Sequence, residues 1–213
     1  TEVYFIDSRV PDALTLVEDL RDRAGEGIEF VLLDAHRSGI EQVSDALAGH
    51  RNLDAVHIVS HATSGAVQFG GTNLDLAALE DNRGAIKGWG DAFADNGDLL
   101  FYGCDLASNE DGQQLVQSLS TLTGADVAAS TDDTGHAIFG ADWDLEYTVG
   151  QIETGVAFSP QLQQNWGYLL NVGVDATSAG TSTGGNFSIS HTTSGSDRLM
   201  LVASQAGSRR PFT

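Results

Sequence analysis

Two residues that can do covalent chemistry each end a short apolar run. Cys104, the only cysteine, closes Asp98-Leu-Leu-Phe-Tyr-Gly-Cys104, and His61 closes Ala55-Val-His-Ile-Val-Ser-His61. A thiol and an imidazole brought together form a nucleophile with its acid/base partner. Taken alone, a lone cysteine is more typical of a small buried hydrophobe. The shared position of these two residues at strand ends is what indicates catalysis.

The elements that must position this pair follow an alternating pattern. Apolar runs alternate along the chain with segments of helical periodicity, which is typical of a parallel α/β sheet with right-handed crossovers. In such a sheet, ligands bind outside the carboxyl ends of the strands. We therefore predict a mostly parallel central sheet covered by helices on both faces, with strands at 3–7, 28–33, 55–61, 98–104 and 126–130 and helices at 12–23, 40–48, 85–93 and 111–124.

Two further segments complete the predicted domain. Residues 66–69 are bracketed by Gly65 and by Gly70-Gly71, which favours a small hairpin or flap beside the crevice. Residues 141–149 alternate as an antiparallel strand with one wet face, which carries Asp142, Asp144 and Glu146. Those carboxylates are interpreted as solvated, and a calcium site is the alternative interpretation.

Composition excludes several classes of function. The net charge of −20 repels the nucleic-acid backbone, so nucleic acid is not an expected partner. A single cysteine excludes an intramolecular disulfide and a CxxC metal or redox site. No apolar run reaches the roughly 20 residues needed to span a bilayer, so no membrane insertion is expected. The first residues, Thr1-Glu-Val-Tyr, lack the features of a signal peptide, and any export signal would lie outside this sequence.

A change of composition divides the chain. From Asn171 the residues are mainly Gly, Ser and Thr, with sparse strand-like apolar positions. We predict an α/β domain at 1–170, followed at 171–213 by a linker or a truncated β-type module.

The order of the two reactive strand ends resembles the caspase-like clan of cysteine peptidases, which includes caspases, metacaspases, gingipains, clostripain and the self-processing domain of large repeat toxins. The chain is more closely similar to an uncharacterised caspase-like domain near the N-termini of giant bacterial repeat adhesins. The segments that carry this resemblance are Phe5-Ile-Asp-Ser-Arg-Val-Pro11, Val56-His-Ile-Val-Ser-His61, Leu100-Phe-Tyr-Gly-Cys-Asp-Leu-Ala107, Leu122-Thr-Gly-Ala-Asp-Val-Ala-Ala-Ser-Thr-Asp132 and Asp142-Trp-Asp-Leu-Glu146.

The resemblance implies a Cys104 nucleophile assisted by His61, with the oxyanion met by the backbone N–H groups of Ala62 and Cys104. It implies no required metal or cofactor, with calcium left open as an activator. The clan usually has glycine where this chain has Ala62. If that position needs a positive φ, alanine costs about 1–2 kcal/mol and shifts the N–H.

The specificity pocket of the clan lies beside the nucleophile and is built from strand ends. Asp7 ends the first strand, and Asp132 and Asp133 follow the fifth. These carboxylates predict substrate binding with Arg or Lys before the cut bond, because a carboxylate pairs with a basic side chain. Arg9 could instead neutralise Asp7.

Together these features predict a cysteine endopeptidase that cleaves a peptide or protein substrate. Its target would be its own parent adhesin or a neighbouring surface protein, in a chain that is secreted or at a bacterial cell surface. Gating of self-processing by calcium or a small molecule is a variant of this function. The alternative from another class is a non-catalytic binding module of a secreted adhesin that keeps the fold.

Overall fold

A computed structural model describes residues 1–23 and 27–171 of the chain. The predicted linker or β-type module at 171–213 falls, apart from Asn171, outside the described residues, so that boundary stays a prediction. Within the described ranges, no helix is both long and apolar enough to cross a membrane.

A six-stranded sheet forms the centre of the domain, as the alternating pattern predicts. In the order β2-β1-β3-β7-β8-β9, neighbouring strands are parallel except for the last pair, which is antiparallel. The strands are β1 Glu2–Asp7, β2 Ile28–Leu33, β3 Leu53–Val59, β7 Phe93–Tyr102, β8 Asp126–Ala129 and β9 Tyr147–Val149. The expected mostly parallel α/β sheet is confirmed.

A second, three-stranded antiparallel sheet follows β3 directly. It consists of β4 Ala62–Thr63, β5 Ala66–Phe69 and β6 Thr72–Leu74, in the order β4-β5-β6. The predicted hairpin at 66–69 is therefore the middle of a three-stranded flap. Ser60 anchors the flap, because its backbone N–H donates to the Tyr102 carbonyl over 3.1 Å and its hydroxyl donates to the carbonyl of Gln68.

In the part of the chain that the structure describes, six helices cover the two faces of the central sheet. They are α1 Ala13–Asp22, α2 Gly39–Leu47, α3 Leu76–Asp81, α4 Arg83–Trp89, α5 Glu110–Thr123 and α6 Pro160–Asn165. Polar side chains start several of them: Ser38 accepts from the N–H of Glu41, Asp75 from Ala78 and Asn109 from Gly112. The αL residue Gly124 ends α5.

Alternating strand residues build one core on each face, as expected for strands buried on both sides. Val3 and Phe5 join the core beneath α2, α3, α4 and α5, whereas Tyr4 and Ile6 join the core beneath α1 and α6. We call these the α5-side core and the α1-side core. Cys104 belongs to the α1-side core.

Two segments depart from the expected boundaries. The helix predicted at 85–93 is α4 followed by a 3₁₀ turn at Gly90–Ala92, after which β7 begins at Phe93. The antiparallel strand predicted at 141–149 is reduced to β9, because Trp143 turns into the α1-side core instead of staying in a ladder.

A buried polar cluster ties β1 to β3. His57 is fully buried, stacks on Tyr4 with ring centroids 4.1 Å apart, and meets the Glu2 carboxylate over 3.2 Å. The Tyr4 hydroxyl donates to the same carboxylate over 2.7 Å. The hydrogen bond from His57 lowers the pKa of Glu2 to about 2, and burial lowers the pKa of His57 below its ordinary value.

Both shifts predict that the free energy of unfolding decreases on acidification. A group whose pKa is depressed in the folded state stabilises the fold above its unfolded pKa, and this stabilisation is lost below that pH. The His57 contribution should decline below about pH 6.5 and the Glu2 contribution from about pH 4.5 towards pH 2. Urea unfolding of the wild type from pH 7 to about pH 2 should show both declines.

His57→Phe keeps an aromatic ring against Tyr4 and should remove the first decline, whereas His36→Gln at an exposed position serves as the control. A wild type whose unfolding free energy is constant between pH 7 and pH 5 would contradict this assignment.

Candidate active site

The two reactive residues lie just beyond the ends of neighbouring parallel strands. Val59 of β3 pairs with Tyr102 of β7, and His61 and Cys104 each follow two residues later. Both strands therefore deliver their chain ends to the same edge of the sheet, as predicted.

Gly103 allows the two chain ends to approach closely. A Cβ at this position would lie 2.7 Å from the Cβ of Ala62 and 2.7 Å from the carbonyl oxygen of Ser60. Only a residue without a side chain fits between these groups. Gly103 thus sets the spacing between the histidine segment and the cysteine segment.

Two backbone N–H groups from these chain ends converge on one carbonyl. The N–H of Ala62 donates to the Leu170 carbonyl over 3.1 Å, and the N–H of Cys104 donates to the same oxygen over 3.2 Å. These are the two donors that the resemblance assigns to an oxyanion hole. They are occupied by a peptide group of the chain itself.

The segment 168–171 reaches this position through isolated β-bridges at Leu169 and Asn171, on either side of a bend at Leu170. The Leu170 N–H donates to the Thr134 carbonyl over 2.9 Å, and the Tyr168 carbonyl accepts from the His136 N–H over 3.0 Å. Leu169 pairs antiparallel with Gly135, and Asn171 pairs parallel with Ala62. We call residues 168–171 the occluding segment. It is paired on one side by the loop after β8 and on the other by β4.

The Cys104 thiol lies beneath this segment. The cysteine is fully buried, and its Sγ accepts a hydrogen bond from the Thr134 N–H over 3.1 Å and donates to the Thr134 carbonyl over 3.5 Å. Burial, with a smaller contribution from the neighbouring carboxylate of Asp133, raises the pKa of Cys104 to about 12. The expected open crevice is filled, and the thiol is held neutral.

The imidazole of His61 has a defined tautomer. Its Nε2 lies 3.3 Å from the Arg9 carbonyl oxygen. A carbonyl only accepts, so Nε2 carries the proton and Nδ1 has a free lone pair. Nδ1 is buried without a hydrogen-bond partner, and burial lowers the pKa of His61, partly opposed by the Arg9 carbonyl and the backbone of Asn171. No hydrogen bond joins the imidazole to the sulfur.

Asp7 holds the loop that orients His61. Its two carboxylate oxygens accept from Arg9 Nε over 2.9 Å and Nη2 over 3.0 Å, and Oδ2 also accepts from the Gly70 N–H over 2.8 Å. Asp7 is fully buried, so it is not open to a substrate side chain. Arg9 therefore neutralises the Asp7 carboxylate, which is the alternative that the sequence left open. Asp7 therefore supports the residue whose carbonyl meets the imidazole.

The other predicted carboxylates lie around the loop after β8. Asp133 is close enough to Cys104 to raise the thiol pKa, whereas Asp132 is exposed. Asp132, Asp142 and Glu146 bring their oxygens within 4.8 Å of one another, but Asp144 is not part of that group. Glu146 also accepts a hydrogen bond from the Thr131 N–H over 2.7 Å, and this bond holds the start of the loop after β8.

A second group of carboxylates stands at the opposite end of the strands, formed by Asp98, Asp126 and Glu153 within the same 4.8 Å. It is remote from the cysteine, and Asp98 uses one oxygen to accept from the N–H groups of Glu153 and Thr154. These hydrogen bonds tie residues 153 and 154 to β7.

Alanine at position 62, where the caspase-like clan usually has glycine, has no conformational cost. Among the described residues, the positive-φ positions other than glycine are Asp12, Asn52 and Asp105, so Ala62 is in an ordinary region. It begins β4, and its N–H reaches the Leu170 carbonyl. The alanine therefore does not misplace the donor.

Comparison with known protein families matches residues 3–170 to the family described as "Domain of unknown function (DUF4347)". The chain belongs to the DUF4347 family. A search of curated proteins finds no match.

Among solved structures, this DUF4347 chain is similar to a short chain dehydrogenase family protein from Francisella tularensis subsp. tularensis SCHU S4. The identity is 13% and the TM-score 0.28, over 57% of this chain and 58% of the dehydrogenase chain.

Sequence reasoning missed three parts of the DUF4347 site. Thr134 and Leu170 act through backbone groups, which leave no signal in residue type. Gly103 stood inside a quoted motif, and its position between a strand and the cysteine was the available signal.

The buried thiol predicts slow alkylation. With a pKa of about 12 instead of about 8.5, the thiolate fraction at pH 8 is roughly a thousandfold smaller than that of a free cysteine. Iodoacetamide labelling of the intact folded chain, followed by mass spectrometry, should therefore be slower by at least that factor. Labelling in urea gives the reference rate, and Asp133→Asn should react modestly faster than wild type. Rapid labelling of the intact chain at pH 6 would contradict a neutral resting thiol.

The tight contact at Gly103 predicts a steric cost. Gly103→Ala should lower the free energy of unfolding by about 1–3 kcal/mol, as overpacking does. Gly84→Ala is the matched control, since a Cβ there meets no atom within 4 Å. Adding Ala62→Gly to Gly103→Ala should recover part of the loss, because it removes one of the two clashing partners. Urea unfolding measures all four proteins, and a Gly103→Ala variant as stable as Gly84→Ala would refute the spacing role.

Proposed function

We propose that this domain is a cysteine endopeptidase that uses His61 and Cys104 and acts on its own parent chain. One observation carries the proposal: the N–H groups of Ala62 and Cys104 converge on a single peptide carbonyl beside the only thiol. Two preorganised backbone donors on one carbonyl oxygen are the arrangement that stabilises a tetrahedral oxyanion. A substrate-like peptide in that position supports peptide-bond chemistry over binding alone.

The proton inventory also supports a dyad. The Cys104 thiol holds its proton at neutral pH, and His61 offers the free lone pair of Nδ1 as a base. General-base transfer from a neutral thiol to a neutral imidazole is a recognised way to activate a nucleophile. The Asp7–Arg9 pair keeps the Arg9 carbonyl against Nε2, and so keeps Nδ1 as the basic nitrogen.

The resemblance to caspase-like peptidases agrees with these roles. It also supports a bacterial secreted or cell-surface chain in which this domain is one part, with the parent chain or a neighbouring surface protein as substrate. The net charge of −20 disfavours nucleic acid as a partner. No metal takes part in the proposed chemistry, and calcium enters as a candidate activator to be tested.

A non-catalytic binding module is the second candidate, and one observation favours it. The thiol is fully buried, and its pKa is raised instead of lowered, whereas reactive cysteines usually have depressed pKa values. If the occluding segment never leaves or reacts, the hydrogen bonds at this site only stabilise the fold. The two candidates differ in whether Cys104 is required for cleavage.

The deciding experiment follows cleavage of the purified 213-residue chain and of a tagged second copy that carries Cys104→Ser, with and without calcium. Wild type should cleave its own chain at neutral pH, and Cys104→Ser, which keeps the shape of the side chain, should not. His61→Gln should slow cleavage by about 10²–10⁴-fold, the usual contribution of a general acid–base group. His50→Gln is the control for replacing a histidine far from the site.

Mass spectrometry of the intact chain measures the outcome, with a mixed peptide library as an independent substrate. Absence of any Cys104-dependent cleavage, of the chain or of the library, would establish the binding-module alternative.

A further inference from the structure

We infer that the bond cleaved is the one between Leu170 and Asn171 of the same chain. This inference rests on the proposed peptidase function and adds its substrate: a segment of the domain itself, with an apolar residue before the cut. The occluding segment is then the substrate in place.

The Leu170 carbonyl is bound next to the cysteine. Its oxygen accepts from the N–H groups of Ala62 and Cys104, over 3.1 and 3.2 Å. The Leu170 N–H and the Cys104 Sγ both bond to the Thr134 carbonyl, over 2.9 and 3.5 Å. The sulfur and the backbone N–H of Leu170, the residue before the cut, therefore share one acceptor. Among peptide groups of the occluding segment, that of Leu170 is the one held by both donors.

The residue of the leaving amine lies beside the base. The backbone of Asn171 is close enough to His61 to raise the pKa of the imidazole, against the larger effect of burial. Asn171 also pairs with Ala62, the residue directly after the histidine. Leu170, the acyl residue, is therefore held by the N–H of Cys104, and Asn171, the residue of the leaving amine, lies beside His61 and Ala62, which is the side of the bond on which cleavage requires each residue.

The side chain before the cut is apolar and buried. Leu170 is fully buried and belongs to the α1-side core together with Cys104. Asp7 is already paired with Arg9, and Asp132 is exposed. The pocket that holds this residue is therefore apolar. A basic side chain there would lose its hydration inside this core, and of the three predicted carboxylates only Asp133, near the Cys104 thiol, would be left to pair with it.

The bond also lies at a boundary along the chain. The family match ends at residue 170, and the Gly-, Ser- and Thr-rich composition begins at Asn171. A cut at this bond would separate the complete DUF4347 domain from everything that follows it.

The reaction balances with the groups present. Nδ1 of His61 takes the thiol proton as the sulfur bonds to the Leu170 carbonyl carbon, and the oxyanion stays on the two N–H donors. The imidazolium then gives that proton to the Asn171 nitrogen, the carbon–nitrogen bond breaks, and a Cys104 thioester remains. Water adds to the thioester with His61 accepting its proton, and collapse returns the thiol and leaves a carboxylate on Leu170.

The geometry also implies a single turnover. After cleavage, Leu170 still ends the occluding segment, which is hydrogen-bonded to residues 134–136. An oxygen of its new carboxylate would therefore stay at the same two N–H donors. Cleavage of added peptides should therefore be slow, because the product remains attached and bound.

The test uses the full 213-residue chain, with intact mass and N-terminal sequencing of each product, with and without calcium. Wild type should give a fragment ending at Leu170 and a second fragment starting Asn171-Val172-Gly173. Leu170→Met keeps an apolar side chain and should be cut, whereas Leu170→Arg should be cut at least tenfold more slowly. Leu14→Arg is the matched control, since it makes the same substitution at a leucine of α1 that is 68% exposed and lies outside the occluding segment, and it should be cut as wild type.

Unfolding of Leu170→Arg would also lower its cleavage rate, so circular dichroism and the thermal midpoint of each variant are measured in parallel. The variant Asn171→Pro leaves Leu170 in place and replaces the leaving amide. It should remain folded and uncut.

The outcomes separate the inference from the proposed function. Cys104-dependent cleavage at another bond, or equal cleavage of Leu170→Arg and wild type, would overturn the inference and leave the peptidase standing. A chain that stays intact while the peptide library is cleaved in a Cys104-dependent manner would do the same. No Cys104-dependent cleavage of any substrate would overturn both.

Discussion

A single carbonyl oxygen joins the parts of this site. The Leu170 carbonyl accepts from Ala62 and from Cys104, and these donors follow two neighbouring parallel strands. Without β3 and β7 in register, the two N–H groups would not point at one acceptor. Without Gly103, the chain ends could not approach closely enough, because a Cβ there would meet Ala62 and Ser60. The fold thus turns a general property of parallel sheets, convergent strand ends, into one defined binding position.

Burial then decides the charge state of the reactive pair. A thiolate and an imidazolium would both lose hydration under the occluding segment, so the pKa of Cys104 rises and that of His61 falls. In the resting site, both the Cys104 thiol and the His61 imidazole are therefore neutral. In the peptidase that we propose, Cys104 is activated by proton transfer at the moment of attack and not as a preformed thiolate, and the Arg9 carbonyl selects the nitrogen that receives the proton.

Much of this arrangement follows from local sequence, and some of it does not. The strands that end near His61 and Cys104 are contiguous apolar runs, so their positions and their common sheet edge could be predicted. The pairing of Asp7 with Arg9 is also local, but a sequence cannot decide between a near neighbour and a substrate as partner for a carboxylate. The structure decides it through burial and the third bond from Gly70, 63 residues away along the chain.

The occluding segment was beyond sequence reasoning for a physical reason. Its bonds to Thr134, Ala62 and Cys104 use backbone groups, whose pairing depends on tertiary contacts and not on residue type. Residues 166–170 also show no helical or strand periodicity. Trp166 and Leu170 turn into the α1-side core from this short irregular stretch. Likewise, Trp143 leaves its predicted strand for the same core, because burial of an indole outweighs a ladder of a few residues.

The most direct measurement is chemical trapping of the acyl group at Leu170. Neutral hydroxylamine added to the wild-type chain competes with water for a thioester but does not react with an ordinary peptide bond at the same rate. If Cys104 attacks the carbonyl held by Ala62 and Cys104, the N-terminal fragment should end in a hydroxamate on Leu170, and the fragment should be absent from Cys104→Ser. A fragment that ends in Leu170 as the free acid alone, in equal amounts with and without Cys104, would contradict the account.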